Sequence, residues 1–198
     1  LPALILVMIT SILLGMGLPC TPAYIIAVTI GGPAMLGLGI EMLPAHLFVF
    51  YFAILAEVTP PVCIAAYCGA AIAGTKPLST GFEASLLAIM GYIIPFVFVY
   101  NQALLLRGPA LEIIGVVLAL LVTTTLSGAA ITGFLFKPLG ILGRALTAVG
   151  SLAGVLVAAN AKLLATTGPQ LALIGAALAG IVVFVIGNRR ALRARGFA

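Results

Sequence analysis

The chain has 198 residues, of which 64% are hydrophobic and only 7% are charged. Soluble domains are about 25% charged, so four acidic and nine basic residues cannot solvate the surface of a soluble protein of this length. This composition excludes a soluble globular domain, a disordered chain and a nucleic-acid-binding protein of the usual kind. It predicts an all-α polytopic membrane protein that lies in the lipid bilayer.

The first predicted element is a helical hairpin over residues 2–40. Its first apolar run, 2–16, would be a helix of roughly 22 Å, which is too short for the ~30 Å hydrocarbon core of a bilayer. The break Gly17–Pro22 separates it from a second apolar run, 23–40, which contains Gly31–Pro33. Two short helices around a Gly/Pro tip indicate a re-entrant hairpin, and one kinked spanning helix is the alternative.

The second predicted element is a broken helix over residues 44–73. Pro60 and Pro61 follow each other in the middle of this apolar segment. Each proline removes a backbone donor and disfavours the α conformation in the residue before it, so a continuous helix is excluded. We expect two half-helices, 44–57 and 62–73, joined by an unwound linker that protein buries or that lines a cavity.

Four further spans are predicted at 83–106, 111–135, 141–160 and 170–187, with polar breaks at 74–81, 107–109, 137–140 and 161–170. Basic residues mark the cytoplasmic side of a membrane protein. With the last span ending in the cytoplasm, seven basic residues fall at cytoplasmic breaks and two at outer ones. The seven are Lys76, Lys137, Arg144, Arg189, Arg190, Arg193 and Arg195, and the two are Arg107 and Lys162. The hairpin then has both ends outside and its tip near the midplane.

A hairpin tip and a broken helix at one depth are typical of secondary transporters. Half-helix N-termini attract an anion, whereas half-helix C-termini and unwound carbonyl groups can bind Na⁺. Thr21 in the tip and Thr59 in the linker add hard oxygen ligands for such an ion. The alternative is two proline kinks in an ordinary helix bundle, with both threonines bonded to the helix backbone.

Glu57 lies next to the Pro-Pro break, deep in an apolar run. A carboxylate within the membrane is costly and is therefore a functional candidate, although a structural role at the break explains it equally well. Glu41, Glu83 and Glu112 fall at predicted segment ends, the last two in first helical turns that the helix dipole favours. His46, the single histidine, is predicted to pack near the outer interface. Cys20, Cys63 and Cys68 are predicted to be buried thiols.

Motifs of hydrolytic enzymes and phosphate-binding loops are missing from the sequence. No zinc-protease motif, nucleophile elbow or Walker-type loop occurs. We therefore predict that the protein is not an enzyme and has no cofactor apart from a coupling ion.

Several runs resemble the large permeases of the tripartite ATP-independent periplasmic (TRAP) transporters. Gly15–Ile25 (GMGLPCTPAYI) is similar to the second hairpin of that family, and Pro44–Phe52 (PAHLFVFYF) with Thr59–Val62 (TPPV) to the broken helix after it. The stretch from Ala65–Tyr67 to Gly81–Ala84 and the run Pro95–Asn101 fit as well. The likeness covers about residues 1–108 and is strongest to the branch that fuses the small and large permease subunits. The part from 109 onwards resembles the extra C-terminal helices of that branch only loosely.

The resemblance implies an elevator-type fold of the ion-transporter superfamily, with 1–108 as the second inverted repeat and 109–198 as C-terminal helices with a basic cytoplasmic tail. It implies import of a small organic acid, Na⁺ coupling, a periplasmic binding protein of the TAXI type and a bacterial inner-membrane location. By motif, the ion and substrate site would include residues of the tip and of the linker, with Na⁺ at Thr21, Thr59 and neighbouring carbonyl groups. These residues are Gly17, Leu18, Pro19, Cys20, Thr21, Glu57, Val58, Thr59, Pro60 and Pro61.

Three positions depart from the pattern of that family. Cys20 stands where Thr is common, Pro22 where Ala is common, and Glu57 where Asp is common. If the side chain at position 20 supplies an oxygen ligand, that ligand is lost here, whereas backbone ligation is kept. The resemblance also implies that a first repeat, the N-terminal half of the permease, precedes Leu1 and holds half of the site. The alternatives are a DASS-like carrier that needs no binding protein, or a non-transporting membrane anchor or channel subunit.

Overall fold

The computed structural model describes residues 1–135 and 138–160, which are helical apart from short turns and one isolated β-bridge. The chain divides into two compact units, Leu1–Leu105 and Leu106–Ala198. The first unit contains α1 (Pro2–Gly15), α2 (Cys20–Gly37), α3 (Met42–Leu55), α4 (Ile64–Ala73), α5 (Pro77–Leu87) and α6 (Ile89–Tyr100). Two short 3₁₀ turns, Ala56–Val58 and Gln102–Leu105, complete it.

Aromatic side chains of α3 form the centre of the first unit. Phe48 and Phe52 are fully buried, and their ring centroids lie 4.8 Å apart in an edge-to-face arrangement. Phe96 of α6 packs against both rings, with its centroid 5.2 Å from that of Phe48. Edge-to-face pairs of this kind add to the energy of burial, so α3 and α6 are fixed against each other.

The hairpin packs along α3 through two glycines. A Cβ atom on Gly15 of α1 would lie 2.6 Å from the carbonyl oxygen of Ala53, and one on Gly31 of α2 would lie 2.8 Å from Val49 Cγ2. Only a residue without a side chain permits such close approach, which is the usual way in which membrane helices pack closely. The hairpin therefore lies directly on the first half of the broken helix.

The prediction of 83–106 as one span is wrong in its limits. The helical segment begins at Pro77, is interrupted at Ala88 between α5 and α6, and ends at Tyr100. Proline is favoured at a first helical position, so the polar start of this segment is helical rather than part of a 74–81 break. Asn101 ends the helix, because its extended backbone and its side-chain oxygen, which accepts the N–H of Ala103, start a 3₁₀ turn.

The second unit, described to residue 160 apart from 136 and 137, contains α7 (Ala110–Thr132) and α8 (Ile141–Ala159). These bounds agree with the predicted spans 111–135 and 141–160. Arg144 of α8 donates hydrogen bonds to the carbonyl groups of Ala130 and Ile131, at the end of α7. Gly154 faces Thr123 so closely that a Cβ atom would collide with its hydroxyl group. The predicted span 170–187, the break 161–170, Lys137 and the basic tail lie outside the described residues.

Four helical segments in the described part of the chain are long and apolar enough to cross a membrane: α2, α5 together with α6, α7, and α8. Large apolar side chains on them are exposed, for example Leu86, Leu121 and Leu146. Such surfaces are stable against lipid rather than water. The prediction of an all-α polytopic membrane protein is confirmed.

Candidate functional site

The hairpin tip is a tight turn between α1 and α2. Gly17 adopts a left-handed conformation with φ of +78°, which glycine adopts without strain. Pro19, with extended backbone, then stands immediately before Cys20, the first residue of α2. The N–H groups of Cys20 and Thr21 belong to the first turn, where a helix has no internal acceptors for them. The tip therefore presents a helix N-terminus with two donors.

The second half of the site is the unwound linker between α3 and α4. The 3₁₀ turn Ala56–Val58 tightens the end of α3, and Thr59 is extended, with φ of −95° and ψ of 121°. Pro60 and Pro61 follow, and α4 begins only at Ile64. The predicted break is confirmed, because two residues without N–H groups cannot continue the hydrogen-bonding pattern of α3.

The structure brings the tip and the linker into contact. Cys20 Sγ donates a hydrogen bond to Glu57 Oε1 across 2.9 Å. On the same side, a Cβ atom on Gly17 would lie 3.8 Å from Val62 Cγ1, an ordinary van der Waals distance. The hairpin tip thus lies against the break.

Glu57 is the most enclosed acid of the first unit. The other charged side chains of residues 1–105, Glu41, Lys76 and Glu83, are exposed, whereas Glu57 is half-buried. The prediction that Glu83 lies in a first helical turn is wrong, because α5 begins six residues before it at Pro77. Glu41 immediately precedes α3 and Glu112 lies in the first turn of α7, as predicted.

Hydroxyl groups hold the linker oxygens. Thr59 Oγ1 donates to the carbonyl oxygen of Leu55 across 2.6 Å and lies 2.6 Å from the hydroxyl of Tyr92. Ser85 Oγ donates to the carbonyl oxygen of Val58 across 2.7 Å, and the Tyr67 hydroxyl to that of Pro61 across 2.6 Å. The sequence did not predict the contacts of Tyr92, Ser85 and Tyr67 with the linker, because these contacts depend on the fold.

The remaining predicted site residues lie around these contacts. Thr21 and Pro19 are exposed at the tip, and Leu18 is half-buried against the core. Val58, Thr59 and Pro60 are half-buried, whereas Pro61 is exposed. All these residues belong to the tip or to the linker, and the hydrogen bond from Cys20 to Glu57 joins the two elements.

The prediction of three buried thiols is wrong for two of them. Cys63 is buried, with its sulfur 2.5 Å from the position that a Cβ atom on Gly81 would take. Cys20, the first residue of α2, and Cys68 of α4 are exposed. His46 Nδ1 and the Tyr24 hydroxyl form a 2.8 Å hydrogen bond where α2 packs on α3. The tautomer of the histidine decides which of the two is the donor.

The donor set of the described residues suits a hard cation and an anion rather than a transition metal. Among these residues, no group of three or more His, Cys, Asp or Glu side chains could hold a metal ion. Carbonyl and hydroxyl oxygens at the linker are ligands for hard cations, and the first turn of α2 provides donors for an anion.

Comparisons with known proteins identify the family. No curated protein and no solved structure matches the chain. The family model of the tripartite ATP-independent periplasmic transporter, DctM component, matches residues 1–113, which include the hairpin, the linker and all six helices of the first unit. The chain therefore belongs to the DctM family, the large permease component of the TRAP transporters.

Proposed function

We propose that the chain is the C-terminal portion of a secondary-active permease that imports an organic acid together with Na⁺. The observation that carries this proposal is the contact between the hairpin tip and the unwound linker, made through Cys20 and Glu57. Family membership supports a TRAP-type permease that works with a periplasmic binding protein. The fused branch, the TAXI-type partner, the elevator movement and a bacterial inner membrane with a cytoplasmic C-terminus are parts of the same proposal.

The chemistry of the site suits both ligands. The substrate carboxylate binds at the first turn of α2, where the N–H groups of Cys20 and Thr21 and the helix dipole favour negative charge. Na⁺ binds at oxygens of the linker, among which the Thr59 hydroxyl is the side-chain candidate. Glu57 lies where the tip contacts the linker, and its negative charge favours binding of a cation there.

The proposed transport cycle uses both ligands. Na⁺ bound at the linker oxygens holds the tip against the linker, and the carboxylate then docks at the helix N-terminus of the tip. Because each ligand stabilises the contact between the tip and the linker, each raises the affinity for the other, and the sodium gradient supplies the free energy of uptake. The binding protein selects the acid, since a site built from backbone groups discriminates little among carboxylates. The loaded unit then moves across the membrane.

The test is uptake by the intact permease that contains this chain, reconstituted in liposomes with its periplasmic binding protein. We expect uptake that requires an inward sodium gradient and stops when choline replaces Na⁺. Uptake that is unchanged by this replacement would contradict sodium coupling. Uptake without a binding protein would indicate a DASS-like carrier, and no uptake under any condition would favour an anchor or channel subunit.

Side-chain ligation is tested by variants of the two threonines. We expect Thr59→Ala to raise the sodium concentration for half-maximal uptake by about tenfold, because loss of one hard oxygen ligand from a small cation site costs about one hydrogen bond to a charged group. Thr21→Val tests the exposed hydroxyl of the tip in the same way. Unchanged sodium dependence in both variants would restrict ligation to backbone carbonyl groups. Thr125→Val on α7, where the hydroxyl bonds to Leu121, is a matched control.

A further inference from the structure

The linker has a deficit of backbone donors. Pro60 and Pro61 have no N–H groups, and the irregular backbone between Val58 and Cys63 leaves carbonyl oxygens without the donors that a continuous helix provides. In a membrane protein, water does not compensate for such a deficit at low cost. Donors must therefore come from other side chains.

Three hydroxyl groups from three different helices meet this need. Tyr67 of α4 donates to the carbonyl of Pro61, Ser85 of α5 to the carbonyl of Val58, and Tyr92 of α6 lies at the hydroxyl of Thr59. The distances are 2.6 Å, 2.7 Å and 2.6 Å, respectively. We call Tyr67, Ser85 and Tyr92 the hydroxyl clamp. Its three members converge on a segment of four residues, 58–61.

The direction of the bond between Tyr92 and Thr59 follows from the count of hydrogens. The Thr59 hydroxyl has one hydrogen, and it is donated to the carbonyl oxygen of Leu55. Tyr92 must therefore be the donor to Thr59 Oγ1. This oxygen has two lone pairs, of which Tyr92 occupies one, so the other is left for a cation.

The carbonyl oxygens of Val58 and Pro61 also keep one lone pair free of the hydroxyl donors. Each has two lone pairs, and one hydroxyl donor occupies one of them. The hydroxyl clamp thus fixes the positions of three linker oxygens while it leaves each of them able to bind a cation. The carbonyl oxygens of Val58 and Gly81 share the single hydroxyl hydrogen of Ser85, at oxygen–oxygen distances of 2.7 Å and 3.1 Å. This shared hydrogen bond connects the Val58 carbonyl to α5.

We infer that Tyr67, Ser85 and Tyr92 are positioning residues of the coupling-ion site, because their hydroxyl groups hold the linker oxygens in the arrangement that the cation needs. The inference rests on the proposed function. The three residues do not bind the ion. They lower the entropic cost of binding, since oxygens that are already fixed do not have to be ordered by the ion.

The experiment measures sodium-dependent uptake by the reconstituted permease with its binding protein, as a function of sodium concentration. Tyr92→Phe removes one hydroxyl group and keeps the aromatic ring. We expect the half-saturating sodium concentration to rise about two- to tenfold, the range that corresponds to loss of one hydrogen bond, while uptake at saturating sodium stays within about twofold. Tyr100→Phe, at the exposed end of the same helix, is the matched control and should match the native protein.

A second pair of variants guards against misfolding of Tyr92→Phe. Ser85→Ala removes a smaller group and should raise the half-saturating sodium concentration, whereas Ser85→Thr keeps the hydroxyl and should restore it. If the half-saturating concentration is unchanged in Tyr92→Phe and Ser85→Ala, the inference is wrong. It is equally wrong if only the maximal rate falls, because that result indicates a purely structural role.

The two proposals fail in different ways. If uptake by the native permease persists when choline replaces Na⁺, the proposed function fails before any variant is made. If the native permease requires Na⁺ and the clamp variants keep its sodium affinity, only the positioning role fails.

Discussion

At the scale of single residues, the site depends on contacts that the sequence shows in part. Glu57 and Thr59 are visible in the sequence, because a carboxylate and a hydroxyl next to two prolines are unusual in an apolar run. The bond from Cys20 to Glu57 joins residues 37 positions apart and exists only because the hairpin lies on α3. No local pattern encodes such a pair, so the sequence predicted its members but not the contact.

The Cys20–Glu57 bond leads to a prediction about closure of the tip. Cys20→Ala removes the donor, so we expect the half-saturating substrate concentration to rise about two- to fivefold, because the tip is held less firmly at the linker. Cys20→Ser keeps a hydroxyl donor and should retain most of the native affinity. Uptake by the reconstituted permease measures both.

The control for this prediction is Cys68→Ala, which removes another exposed thiol, on α4. It should leave the substrate dependence unchanged. Native affinity in Cys20→Ala, or equal losses in Cys20→Ala and Cys68→Ala, would contradict a specific role for the bond to Glu57.

At the scale of helices and linkers, prolines and glycines mark most boundaries correctly. The hairpin 2–40 and the broken helix 44–73 were predicted from these residues. The structure has a break in each, but the first is shorter than the predicted Gly17–Pro22, because residues 20–22 belong to α2. The error at 83–106 arose because Pro77 was interpreted as part of a polar break, whereas it begins a helix. Proline alone does not fix a boundary, because Pro77 begins α5 whereas Pro33 lies inside α2 and Pro95 inside α6.

The close approach of α1 to α3 leads to a prediction about stability. In Gly15→Ala, the new Cβ atom would lie 2.6 Å from the Ala53 carbonyl oxygen, a backbone atom that cannot move without shifting α3. We expect a loss of about 1–3 kcal/mol in the free energy of unfolding, as is typical of an overfilled core. A lower thermal unfolding midpoint of the detergent-solubilised protein would report it.

Gly69→Ala on α4 is the matched control, because no atom lies within 4 Å of its added Cβ atom. Alanine forms helices better than glycine does, so this variant should be as stable as the native protein or more stable by up to about 1 kcal/mol. The same unfolding midpoint in Gly15→Ala and Gly69→Ala would contradict the close packing of α1 on α3 at Ala53.

At the scale of the whole molecule, the scarcity of charge carries most of the information in the sequence. In the first unit, the few charged side chains are exposed except Glu57, which lies at the break. In the second unit, Arg144 donates hydrogen bonds to two carbonyl groups at the end of α7. A basic residue that was used to predict the membrane orientation therefore also has a structural contact. Composition thus predicted the class of protein and made Glu57 a functional candidate, whereas the partners of each charge required the fold.

The distribution of basic residues leads to a prediction about orientation in the membrane. Seven of the nine basic residues fall at breaks on one side of the predicted topology, and the positive-inside rule assigns that side to the cytoplasm. A fluorescent protein fused after Ala198 should therefore fluoresce, and alkaline phosphatase fused there should be inactive, because it forms its disulfides only outside the cytoplasm. Alkaline phosphatase inserted at Gly108, next to Arg107, should be active. The reverse pattern of the two reporters would indicate the opposite topology. Both ends of the hairpin would then lie in the cytoplasm, where a periplasmic binding protein could not deliver substrate.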